Sequence, residues 1–171
     1  AGAALAVGDY HTCWGKDPRT VACVGWNVLG QVGDAEFEAI ITEPLETSLD
    51  EDIMALEANG ESTCVLTVSG KPLCWGRHLD GQGHMGSVKN GTGDPTPRLL
   101  PGLSDGEQVL QLAVAQYSAC VRLAHEVRCV GNGERGALGT GDLDDRPVLT
   151  PVVGLGAVDR LWVGAYHVCA T

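Results

Sequence analysis

The chain has 171 residues, room for one ordinary domain or part of a larger one. Its 11 Lys and Arg against 22 Asp and Glu give a formal net charge of −11, which leaves no basic stripe for a phosphate backbone and excludes a nucleic-acid binder. With 44% hydrophobic residues and no run near the roughly 18 apolar residues of a membrane helix, neither a disordered tail nor a membrane span is expected.

In chain order, one segment returns four times. Ala1-Gly2-Ala3, read as a processed or cut terminus, leads into Leu5-Ala6-Val7-Gly8-Asp9-Tyr10-His11-Thr12-Cys13. Leu5 and Val7 alternate with small residues, which predicts a strand, and a second strand runs into Cys13. Cys23 follows on a third strand, then the glycine-punctuated Val24-Gly25-Trp26-Asn27-Val28-Leu29-Gly30-Gln31-Val32-Gly33. The second copy runs from Leu56 to Cys64. Residues 53–58 have helical propensity, but their place in the repeat makes them a strand. After the turn Val68-Ser69-Gly70-Lys71-Pro72 comes Cys74, then Trp75-Gly76-Arg77-His78-Leu79-Asp80-Gly81-Gln82. The third copy runs from Leu112 to Cys120 and on to Cys129 and Val130-Gly131-Asn132-Gly133-Glu134-Arg135-Gly136. The fourth starts at Leu161 and reaches Cys169. Asp94-Pro95-Thr96-Pro97, Arg146-Pro147 and Thr150-Pro151 are read as connections between units, and no helix is predicted.

Four-stranded units of about 50 residues in tandem are the signature of propeller blades. The expectation is an all-β chain, a β-propeller with about three and a half blades: residues 1–48, 49–104, 105–156, and the first half of a fourth over 157–171.

The Ala-Val-Gly start, the His-Thr-Cys end, Cys-Trp-Gly and Gly-Gln-x-Gly resemble the regulator of chromosome condensation repeat. The pattern looks most like the cysteine-paired variety of bacterial secreted or surface proteins. The resemblance covers nearly the whole chain and implies a propeller that usually closes with about seven blades. It departs at Cys13-Trp14-Gly15, where an apolar strand end is usual, in the acidic segment 34–46, and in the expanded stretch 81–86. By resemblance, the activities to weigh are nucleotide exchange on a small GTPase and, by fold only, β-lactamase inhibition.

Zinc sites want close cysteine pairs, and none occurs. A catalytic thiol would be one special cysteine, whereas here each repeat has its own. Partners about ten residues apart across a short turn sit opposite each other on neighbouring strands, within disulfide reach. The expected bridges are Cys13–Cys23, Cys64–Cys74 and Cys120–Cys129, each worth roughly 2.8 kcal/mol in the chain-entropy model. They imply a periplasmic, surface or extracellular setting. The alternative is buried free thiols in a reducing compartment. Cys169 is expected to be unpaired, its repeat partner lying beyond Thr171, so the chain reads as a piece of a longer propeller or a half-blade completed by another chain.

Asp50-Glu51-Asp52 with Glu46 and Glu57 lacks the spacing of a calcium loop and reads as solvated surface, as do Asp142, Asp144 and Asp145. His11 and His167 share a repeat position and suggest a repeated scaffold hydrogen bond. His84 and His125 read as surface, and Asn90-Gly91-Thr92 is a glycosylation sequon only in a eukaryotic secretory setting. The glycine-rich stretches open no helix for a phosphate, and no catalytic triad assembles. No catalytic residue, metal or cofactor is therefore expected. What remains is recognition of a protein partner, or of further copies or segments that complete the propeller. Trp14, Trp26, Arg77, His78 and Arg135, in or next to predicted turns, are the candidate anchors. Trp75, on a strand, reads as core.

Overall fold

The structure, a computed structural model, describes residues 4–33, 39–77 and 93–171. The candidate His78, the expanded stretch 81–86 with His84, the sequon at Asn90 and residues 34–38 of the acidic segment lie outside the described residues.

Three antiparallel four-stranded sheets follow one another, each a simple meander. The first holds β1 (Leu5–Val7), β2 (His11–Asp17), β3 (Thr20–Trp26) and β4 (Ile40–Ser48). The second holds β5 (Ile53–Asn59), β6 (Ser62–Thr67), β7 (Pro72–Gly76) and β8 (Asp94–Leu99). The third holds β9 (Gln111–Val114), β10 (Ser118–Arg122), β11 (Val127–Gly131) and β12 (Arg146–Pro151). A two-stranded sheet, β13 (Leu161–Gly164) and β14 (His167–Ala170), comes last. The one helical element among the described residues is a 3-10 turn at Glu134–Gly136, and none is long and apolar enough to cross a membrane.

One row of directly opposed residues crosses each sheet: Ala6, Cys13, Cys23 and Leu45; Glu57, Cys64, Cys74 and Arg98; Ala113, Cys120, Cys129 and Thr150. Opposed residues share a sheet face. In all three rows the two cysteines are bonded, with Cα atoms 4.1 Å apart. In the last sheet Cys169 lies opposite Trp162, free and exposed.

The core lies between sheets. The bridged face of each packs on the other face of the next: Cys13 and Cys23 with Leu56, Val65 and Trp75; Cys64 and Cys74 with Leu112, Val114 and Val121; Cys120 and Cys129 with Leu161. Trp75 is fully buried. Each large side chain so placed contributes about 1.5–3 kcal/mol. The disulfides are therefore the floor of each inter-sheet core rather than surface clips.

Two residues after the second cysteine, the ladder shifts at a glycine in every four-stranded sheet. Gly25, Gly76 and Gly131 have φ of 118°, 96° and 121°. A Cβ on Gly25 would lie 2.4 Å from the Tyr10 carbonyl oxygen, and one on Gly76 equally close to that of Glu61. This bulge lets the chain leave the third strand toward one face of the molecule.

One expectation needs correction. The proline-rich segments are not separators between units: Asp94–Leu99 and Arg146–Pro151 are the outermost strands β8 and β12. The Leu100 N–H bonds inward to the Pro72 carbonyl, so the backbone nitrogens of Pro95 and Pro97, of opposite parity, point outward, where a missing N–H breaks no ladder.

Candidate protein-recognition face

The turns between the first and second strand of each sheet and the chain leaving the third strand emerge on one face. They are tied by a repeated backbone bond: Trp26 N–H to Tyr10 C=O (2.8 Å), Arg77 N–H to Glu61 C=O (2.7 Å) and Asn132 N–H to Tyr117 C=O (2.9 Å). Residues from two separate stretches of each repeat thus stand side by side.

Their side chains form an array that runs from sheet to sheet. Tyr10 and Trp26 meet edge to face, with centroids 5.5 Å apart. Arg77 pairs with Glu61 and lies 5.4 Å from the Tyr117 ring centre of the next sheet. Tyr117 lies 6.2 Å from Tyr166 of the last sheet, at 31° between planes, and the Arg135 guanidinium sits 4.5 Å over Tyr166. Tyr10, Gly25, Trp26 and Ile40 line an apolar cleft at one end; Tyr117, Asn132, Glu134, Arg135 and Tyr166 line another at the other end.

Of the sequence candidates, Trp26, Arg77 and Arg135 come together on this face. Trp14 does not. It lies within β2, opposite Ala22, four residues down the strand from Trp26, so it is a strand residue and not a turn residue. The tyrosines were missed as anchors. Tyr10, Tyr117 and Tyr166 each stand three residues before the first cysteine of their repeat, a recurrence visible in the sequence.

Beneath the face, the first two sheets are joined by a buried polar chain. The Thr63 hydroxyl donates to the Gln31 carbonyl (2.7 Å) and accepts from His11 Nε2–H (2.8 Å). That assignment makes His11 the Nε2–H tautomer, with Nδ1 buried and unpaired. Burial, opposed by the Asp9 charge, pushes the His11 imidazole down to about 4. The equivalent His167 is exposed and makes no such bond among the described residues. Glu57 replaces the alanine of the other rows, and its burial pushes the carboxyl above the usual range. Four of the carboxylates weighed as a cation site are ion-paired instead: Glu46 with Lys16, Glu51 with Lys71, Asp52 with Arg19 and Asp142 with Arg146.

No protein-family model and no curated protein matches the sequence. Solved structures do. The chain superimposes on Prp20p from Saccharomyces cerevisiae, described with its binding to Gsp1p and histones, at a TM-score of 0.82 and 19% identity over 97% of this chain. Yeast RCC1 (Prp20) bound to Kap60 gives 0.79 and 19% over 95%. The ectodomain of the receptor kinase CR4 from Physcomitrella patens gives 0.56 and 16% over 99%. At such identities the likeness is one of fold: the chain has the architecture of an RCC1-like β-propeller. It spans 42%, 40% and 38% of the lengths of those three chains, less than half of each.

Proposed function

We propose that this chain is a non-enzymatic propeller segment that binds a protein partner through its aromatic and arginine-bearing face, outside the reducing cytoplasm. The observation that carries the reading is the array Tyr10, Trp26, Arg77, Tyr117, Tyr166 and Arg135, which gathers the residue types that dominate protein interfaces on one side. The neighbours in fold are described with bound protein partners, which supports the same use here. The bridged cysteines support the oxidising setting.

Photocrosslinking tests the face. With p-benzoylphenylalanine at Val28, in a turn of that face, or at Ser69, in the β6–β7 turn at the opposite end, a defined protein of the producing organism should be captured from position 28 alone. Equal capture from both positions, or from neither, overturns the reading. A second reading, guanine-nucleotide exchange, draws on the likeness to Prp20p but needs a reducing compartment. Intact mass of the natural protein decides between them: a deficit of about six hydrogens fits three bridges, and none returns the chain to the cytoplasm or nucleus.

A further inference from the structure

We infer that the cleft between Tyr117 and Tyr166 binds a single carboxylate of the protein partner, clamped by Arg135 and Asn132; this rests on the reading of that face as the recognition surface. Arg135 is the sole non-glycine residue with positive φ (67°) among the described residues. The repeat does not demand it. The turn after β3 and the turn after β11 close with the same bonds: Gly30 N–H to Asn27 C=O (2.9 Å) and Gly33 N–H to Gly30 C=O (2.9 Å) in one, Gly136 N–H to Gly133 C=O (3.0 Å) and Gly139 N–H to Gly136 C=O (3.2 Å) in the other. Leu29 occupies the place of Arg135 in the first turn without the left-handed backbone. A conformation that an L-residue adopts at a cost, and that its structural twin avoids, points to the side chain it delivers.

What it delivers is an uncommitted guanidinium. Arg77, at the other end of the stack, is neutralised by Glu61, whereas Arg135 has no ion pair among the described residues and rests on the Tyr166 ring, itself 42% exposed. Asn132 stands beside it with its amide oriented, because Oδ1 already accepts the Glu134 backbone N–H (3.1 Å) and leaves Nδ2 to donate. A planar carboxylate fits this donor set, accepting from the guanidinium fork and the amide between two aromatic walls in a cleft of about 300 Å³. Glu134, in the same lining, opposes a doubly charged phosphate more than a singly charged carboxylate. The net charge of −11 repels strongly acidic chains, so the partner offers an isolated carboxylate on a neutral or basic surface.

The carboxylate could be an Asp or Glu side chain or a chain terminus, and the probes separate these. The 15N-labelled protein is titrated with a capped peptide carrying one Glu, its capped Gln counterpart, and the Gln peptide with a free C-terminus, following Arg135 Nε–Hε and the Tyr166 ring. At least one carboxylate peptide should give a saturable shift in about the millimolar range, roughly tenfold or more tighter than the capped Gln peptide. Arg135→Gln should abolish it, and Arg160→Gln should not. Arg135→Gly, which suits the left-handed backbone, should fold with an undiminished Tm and still lose binding. No saturable shift, equal shifts from all three peptides, or binding retained by Arg135→Gly overturns the inference. Equal shifts would leave the face a recognition surface that does not read charge, and photocrosslinking at Val28 reports on that separately.

Discussion

His11 and His167 hold the same place in their repeats, three residues after a glycine and two before a cysteine. Their rings lie over those glycines alike: a Cβ on Gly8 or on Gly164 would come within 2.2 Å of the imidazole Cε1. Yet His11 is 3% exposed, bonded to Thr63 and held neutral, while His167 is exposed. The hairpin is set within the repeat, and the chemistry of its histidine is set by the sheet that packs on it. Only a neighbouring Thr63 with its own carbonyl to serve turns the residue into a buried joint.

Thr63→Val removes that joint at constant shape, stranding the His11 Nε2–H and the Gln31 carbonyl. A loss of about 3 kcal/mol is expected in urea unfolding, with the His167 ring signals unmoved. Gly8→Ala should cost about 2 kcal/mol, since its His11 ring is walled in and the Gly60 carbonyl is 2.9 Å away. Gly164→Ala should stay within about 0.5 kcal/mol, because the exposed His167 ring can swing aside. If the two glycines respond equally, burial is not what separates the histidines.

The third test is acid. With the folded His11 near 4, below its ordinary 6.5, the unfolded chain takes up the proton first, so stability is full above about 6.5 and is lost as pH falls toward 4. The slope should reach at most about 1.4 kcal/mol per pH unit, and His11→Gln should flatten it. The smallest effect concerns the row in which Glu57 replaces alanine. A carboxyl raised by burial makes the fold less stable as pH rises through its folded value, so Glu57→Ala should gain stability at neutral pH and lose that advantage in acid. Denaturation curves at two pH values would show it.

Much of this architecture is legible in the spacing of the cysteines, because two strands joined by a short turn bring positions nine or ten apart into register, and three such pairs recur. The bulge glycines are legible too, as the Gly two residues after each second cysteine. The fourth strands are not. Pro95, Pro97, Pro147 and Pro151 signal a break in any local reading, and only the outward parity of those positions reconciles them with a strand. The face is half legible. Trp26, Arg77 and Arg135 stand out as large residues among glycines, but their tyrosine partners lie more than a dozen residues upstream or in the next repeat. The Arg77–Tyr117 and Arg135–Tyr166 contacts depend on how sheets sit beside each other, which no local pattern reports.

The outer prolines also govern what cannot happen. The Leu149 N–H, pointing outward from β12 between Pro147 and Pro151, is taken up by the Pro101 carbonyl, so that stretch offers no free amide hydrogen to an incoming chain. A visiting strand would find acceptors without donors and could not lengthen the ladder. The β12 edge is thus closed to edge-to-edge stacking and to amyloid-like templating by the same residues that, in sequence, read as interruptions of the fold.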